Sequence, residues 1–301
     1  MNKAMIQEMG KFIKKNEQGN LVYDNGTFQI ELYRYSDPDR LNLADSAAIY
    51  LGKPDTDNIR RPLNILKLGH ALEIFRGETA TFKFYDVAKQ VYDHLITYKT
   101  MNMRVAGGNR ALISTSCTLP MDKIKNKELV AEKIKESMYA YHDLIDAGES
   151  PQVARAAMPV NANMNTFKLQ FNFQTLIQAL FPQRIFEVGA QGLTVEVVKG
   201  MFALCHAVDP ELWETVYELY GPHTKEWKDV QKKLRKKKTT FAELLFEVGG
   251  GKEYQQELID RYGYDDEGAY DGVISHGLNK IWDADIEEFF REKFGKQKSI
   301  W

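Results

Sequence analysis

Between Glu78 and Asp86 the chain reads ETATFKFYD, an alternation that sets Ala80, Phe82 and Phe84 on one side and Thr79, Thr81, Lys83 and Tyr85 on the other. A period of two is the mark of a strand with one apolar face. Thr27 to Tyr33 alternates in the same way, with Phe28, Ile30 and Leu32 opposite Gln29, Glu31 and Tyr33, behind the turn signal Asn25-Gly26. At least six segments of helical period surround these two strands. The combination predicts an α+β fold: a small mixed or antiparallel sheet, carrying strands near residues 27–35 and 79–85, packed with long helices.

The helical segments come in order. DRLNLADSAAIYLG ends at Gly52, the polar KPDTDNIRRP is an exposed connection, and Leu63 to Phe75 makes a helix closing near Gly77. Asp86 is placed to cap VAKQVYDHLITYK. From Met121 to Ala147, Val130, Ile134, Met138, Tyr141 and Ile145 recur at helical spacing. A further helix between Phe186 and Ala207 carries Val188, Val195, Val198, Phe202 and Cys205, and Asp209-Pro210 opens one that ends near Gly221. Residues 1–221 thus read as the main domain, and 222–301 as a helical C-terminal extension. The extension holds TFAELLFEV and ADIEEFFREKF, four tyrosines (Tyr254, Tyr262, Tyr264 and Tyr270) suited to packing, and a basic run, Lys232 to Lys238. That run is a solvated helix face or a phosphate-contacting patch. Gly249-Gly250-Gly251-Lys252 lacks the residues that complete a P-loop and reads as a hinge.

Composition narrows the partners. A chain of 301 residues can bury a sizeable core, and a net charge of −2 gives no global drive toward nucleic acid or membrane. The two cysteines, Cys117 and Cys205, form neither a disulfide framework nor a metal-ligand spacing. Both are expected to pack as small hydrophobes, with a reducing cytoplasm as the simplest setting. No apolar run approaches the roughly 20 residues that span a bilayer. The first twenty residues lack the apolar region of a signal peptide.

The stretch from Tyr141 to Asp209 concentrates the chemistry. Gly148 closes one helix and Ser150-Pro151 opens a short one, QVARAAM, which stops at Pro159. Its one charge, Arg155, stands among Val153, Ala154, Ala156 and Ala157. An arginine there is either a buried anion clamp or a surface residue whose stem lies along apolar neighbours. After Ala154-Arg155 come Met158-Pro159, the Asn-bearing Phe171-Asn172-Phe173, Arg184, and Ala190-Gln191. Over roughly Lys123 to Trp213 this order resembles the C-terminal half of the flavin-dependent thymidylate synthases, with their Ala-Arg-x-x-Leu-Pro, Asn-x-Arg and Ala-Gln elements. Gly69-His70 and Thr81-Phe82-Lys83-Phe84 resemble the same family further upstream.

The departures are as specific as the matches. Where the family carries Arg-His-Arg, this chain has Tyr98-Lys99-Thr100, followed by Arg104, a Gly107-Gly108 pair and Asn109-Arg110. An arginine pair offers planar, charge-assisted forks to a diphosphate, and a lone lysine keeps only the charge. The glycine pair is a plain turn or a close approach of backbone N–H groups to an anion. Gln174 replaces the arginine of Asn-x-Arg, Gly192-Leu193-Thr194 replaces Trp-Glu-Ile, and one extra residue separates Arg184 from Gln191.

The resemblance implies transfer of a one-carbon unit from methylenetetrahydrofolate to C5 of a pyrimidine deoxynucleotide, dUMP or dCMP, with FAD and NADPH supplying the reducing power. It implies a homotetramer. It assigns Arg155 and Arg184 to catalysis and, with Arg110, to the nucleotide, and His70, Lys99 and Asn172 to the flavin. In such a site the protein positions reactants and stabilises charge without a nucleophile. Two other readings fit the same residues. One is a pyrimidine nucleotide hydroxymethylase or similar relative that does not use FAD as hydride donor; the other is a non-catalytic nucleotide-binding protein.

Overall fold

The computed structural model describes residues 3–69, 71–98, 100–106, 116–118, 124–186 and 192–221, together with the single residues Lys232, Gln256 and Asp260. The chain divides into two compact units, Met1–Lys225 and Glu226–Trp301. Every element below belongs to the first. The named helices of the extension, its triple glycine, its four tyrosines and all of its basic run except Lys232 lie outside the described residues.

The first unit is α+β. A helix α1 (Lys3–Gly10) precedes β1 (Ile13–Lys15), β2 (Leu21–Asp24) and β3 (Gln29–Tyr35). Then follow α2 (Leu41–Leu51), α3 (Arg61–Leu68), a 3-10 turn over Leu72–Arg76, β4 (Thr79–Tyr85), α4 (Lys89–Leu95) and β5 (Met101–Val105). The second half supplies α5 (Lys127–Asp146), α6 (Pro151–Ala154) with a 3-10 turn at Arg155–Ala157, β6 (Phe167–Asn172), α7 (Phe173–Thr175), α8 (Gly192–Val208) and α9 (Pro210–Tyr220). Between α7 and residue 186 the backbone winds in wide π-type turns, Leu176–Leu180 and Pro182–Phe186.

The six strands form one sheet in the order β1-β2-β3-β4-β6-β5, and every pairing is antiparallel. The alternations place the core as expected. Phe28, Ile30 and Leu32 are buried, as are Ala80, Phe82 and Phe84 from β4, and Phe167, Leu169 and Phe171 continue that apolar face on β6. Phe84 stacks on Phe167 with ring centroids 4.7 Å apart. Such a pair adds about 0.5–1.5 kcal/mol beyond its buried area. Helix α8 lies on this face so closely that a Cβ at Gly200 would stand 2.8 Å from Tyr23 Cδ1 and 3.0 Å from Ile30 Cδ1. Trp213 of α9, fully buried, donates its indole N–H to the Tyr35 hydroxyl at 2.9 Å.

The other face of the sheet is polar. Glu31 accepts hydrogen bonds from Asn20, Asn16 and Tyr85 and faces Lys83 at 3.9 Å. Burial opposes the charge on this carboxyl, but the bonds from Tyr85 and Asn20 with the field of Lys83 prevail and hold it below the usual carboxylate range.

Several boundaries differ from expectation for local reasons. The helix expected over Leu63–Phe75 stops at Leu68, because Gly69 takes the left-handed conformation (φ 70°) and its N–H donates the closing bonds to the Ile65 and Leu66 carbonyls. Asp86 caps nothing: it sits at φ 58°, and α4 begins three residues later with Ala88 as its N-cap. Asn126 accepts from Leu129 N–H and so starts α5 at Lys127. Other boundaries coincide. Gly52 closes α2, Ser150 caps α6 ahead of Pro151, and Asp209 caps α9 ahead of Pro210. Both cysteines are free, Cys205 within the core and Cys117 half-buried. No helix among the described residues is long and apolar enough to cross a membrane.

Candidate functional site

Arg155 leads to a cavity whose walls combine several functional groups. The cavity measures about 670 Å³ and is lined by Lys89 and Tyr92 of α4, by Gln152 and Arg155, and by Met158 and Met164. That volume is in the range of small-molecule sites. Ser150 and Pro151 fix the start of α6, and the chain tightens into a 3-10 turn at Arg155, which turns the guanidinium to the cavity wall. The side chain is exposed rather than buried, and it has no ion-pair partner among the described residues. The expectation of a buried clamp is corrected: Arg155 is an exposed cation that lines a cavity.

The frame around this cavity is made of backbone. Segment 160–164, VNANM, threads between the start of α4 and residues 116–118. On one side Lys89 N–H donates to Ala162 C=O at 2.9 Å, Gln90 N–H to Val160 C=O at 3.1 Å, and Met164 N–H to Val87 C=O at 2.9 Å. On the other, Thr118 N–H donates to Asn161 C=O and Asn163 N–H to Ser116 C=O, each at 3.0 Å. The buried amides of Asn161 and Asn163 complete the lattice: Asn161 donates to Thr118 C=O and Gln90 Oε1, and Asn163 Oδ1 accepts from Thr118 Oγ1 at 2.7 Å. Buried polar groups satisfied on all sides are rigid supports. Sequence reasoning passed over Lys89, Tyr92, Gln152 and these two asparagines. The Asn-x-Asn pattern between Val160 and Met164 was the visible signal.

Arg184 and Asn172 do not line the cavity. Arg184 contacts Tyr98 instead, and Asn172 contacts Thr100. Arg184, on the second π-type turn, donates from Nε to the Tyr98 hydroxyl at 3.0 Å, and Tyr98 donates to Gln183 Oε1 at 2.8 Å. Asn172 is buried. Its Oδ1 accepts from Thr175 N–H at 2.8 Å, and its Nδ2 donates to Thr100 C=O at 3.2 Å and to Asn102 Oδ1 at 3.0 Å. That side chain caps α7 and pins β5, which leaves it no free donor for a flavin ring. His94 lies beside this cluster, with Nδ1 2.7 Å from Thr194 Oγ1. Burial, and then the nearby Arg184 guanidinium, push the imidazole below its ordinary pKa, against a smaller pull from Asp93.

His70, Lys99 and Arg110 lie outside the described residues, as do Gly107, Gly108 and Ala190-Gln191. Among the described residues no group of three or more His, Cys, Asp or Glu could hold a metal ion. No family model matches the chain, and no curated protein matches it.

Proposed function

We propose that the chain binds a pyrimidine deoxynucleotide in the Arg155 cavity and transfers a one-carbon unit to C5 of its base, as a divergent flavin-dependent thymidylate synthase-like enzyme. The observation that carries this reading is the place of Arg155: the residue singled out from the Ala-Arg-x-x-Met-Pro pattern opens onto a cavity that also offers a ring, Tyr92, and an amide, Gln152. A cation for a phosphate, a flat aromatic surface for a base and an amide for its edge are the groups a nucleotide site requires. In this reading the carbon would come from methylenetetrahydrofolate, and the chemistry a bound flavin would supply, with NADPH as reductant, is the hydride that completes a methyl group. Arg155 anchors the nucleotide, Tyr92 stacks on the base, and Met158 and Met164 keep water from the reacting face. Arg184 acts through Tyr98, as a positioning residue at the stretch that stands where the family has Arg-His-Arg.

Hydroxymethyl transfer is the second reading, favoured by one observation. The one described residue assigned to flavin, Asn172, has its amide engaged within the fold. A product formed by adding water needs no hydride.

Arg155→Ala tests the site. A hydrogen bond to a charged group contributes about 1.5–3 kcal/mol, so dUMP affinity should fall roughly ten- to a hundredfold with the fold intact. Calorimetric titration with dUMP, dCMP and FAD measures it. Unchanged dUMP affinity in Arg155→Ala removes the assignment, and turnover with methylenetetrahydrofolate distinguishes methyl from hydroxymethyl product.

A further inference from the structure

We propose that Lys89 is the second phosphate-binding group of this cavity and that Asp93 holds it in reserve until a phosphomonoester dianion arrives. The proposal rests on reading the Arg155 cavity as a nucleotide site.

Lys89 is the first residue of α4, and its backbone N–H is committed to Ala162 C=O. Its Cα is thereby fixed on the cavity wall while the side chain remains free to swing. That side chain lines the same cavity as Arg155 and forms an ion pair with Asp93, one turn along the helix. Both partners are half-buried, with 39% and 40% of their side-chain surface open to solvent. A pair with this much access to solvent is screened and contributes little. The order of charges weakens it further. An acidic residue N-terminal to a basic one at this spacing is the favourable arrangement, and this pair runs the other way, against the helix dipole. Helix stabilisation therefore accounts poorly for the pair. An available cation on a cavity wall, neutralised by a weak internal counter-ion, accounts for it well.

The two cations differ in kind. Arg155 has no counter-ion among the described residues, and Lys89 has one that a stronger anion can displace. A nucleoside monophosphate carries close to two negative charges at neutral pH, since its second pKa is near 6. Arg155 presents a planar fork to such a group, and Lys89 presents a point charge on a flexible stem. A ligand with a single negative charge must compete with the Asp93 carboxylate for Lys89; a phosphomonoester brings the extra charge that wins. The cavity thus selects the phosphorylated nucleotide over its nucleoside, and Asp93 sets the threshold.

The test is calorimetric titration of the full chain with dUMP, deoxyuridine and inorganic phosphate. Wild type is compared with Lys89→Met, Asp93→Asn and Arg155→Ala, and thermal melting is followed in parallel. Lys89→Met should weaken dUMP on the order of tenfold, with deoxyuridine unaffected. Asp93→Asn should tighten dUMP and inorganic phosphate several-fold. If Arg155→Ala weakens dUMP and Lys89→Met does not, the assignment of Lys89 is overturned and the nucleotide site stands. If both variants bind dUMP as wild type does, the cavity is not the nucleotide site and both readings fall. Phosphate and dUMP affinities that are unchanged or weaker in Asp93→Asn remove the reserve role of Asp93. A lower melting temperature in Lys89→Met with normal dUMP affinity makes the pair a helix support and nothing more.

Discussion

Asn172 ties two secondary elements together with one amide, and its environment predicts what its removal does. Asn172→Ala strips the cap from α7 and leaves Thr175 N–H and Asn102 Oδ1 without the Asn172 amide. A lost cap and a lost buried hydrogen bond together should cost about 2–4 kcal/mol, visible as a lower denaturation midpoint. A flavin-contacting role would instead show as lost flavin at unchanged stability. His94 gives a pH dependence. Its folded pKa is depressed, so between the folded and unfolded values the unfolded chain binds the extra proton, and stability rises with pH there. The stabilisation is full above the unfolded value, near 6.5, and is lost as pH falls through it. Melting temperature should drop between pH 7.5 and 5.5, and His94→Gln should flatten that drop; an unchanged slope would remove His94 as its source. At this scale the sequence was legible at several residues that act on their own neighbours, Ser150, Asp209 and Gly52, though not at the Asn126 cap. Lys89 and Gln152 were not legible, because a lysine and a glutamine on helix surfaces look the same in sequence whether they face solvent or a cavity.

Elements with an unbroken period announced themselves, and those whose partners lie far away did not. Strand β4 was plain from Ala80, Phe82 and Phe84, all fully buried. Strands β1 and β2 are only 3 and 4 residues long, too short for alternation to register. Strand β6 does alternate, FKLQFN, but it runs straight into α7, and the Asn-bearing motif at the junction drew the reading toward chemistry. Strand β5 is an edge strand with a register shift between Met101 and Met103, which breaks the period that would identify it. The site suffers the same limit. Its frame is the backbone lattice of segment 160–164, and hydrogen bonds between main-chain groups leave little trace in side-chain identity beyond Asn161 and Asn163. The π-type turns over 176–186 are equally silent in sequence, although they carry Gln183 and Arg184 to Tyr98.

The sheet joins near neighbours on one side and distant stretches on the other. Strands β1, β2 and β3 pair through short turns, whereas Phe84 pairs with Phe167 and Thr79 with Asn172 across a long intervening stretch. Closing a long loop costs more entropy than closing a short turn, and pairings between distant segments slow folding. The cavity hangs on the same return of the chain, since segment 160–164 must come home before Lys89 and Arg155 share a wall. The expected order is that the cavity is completed late, beyond the barrier to folding. A nucleotide that meets only the finished cavity cannot hasten its assembly; it can only delay its loss. In stopped-flow chevrons followed by tryptophan fluorescence, saturating dUMP should leave the refolding arm where it is and lower the unfolding arm by the whole binding energy. A refolding arm that rises with nucleotide would show the cavity already formed at the barrier. On the order β1-β2-β3-β4-β6-β5, a ligand of the finished cavity would set how long the folded state lasts rather than how soon it appears.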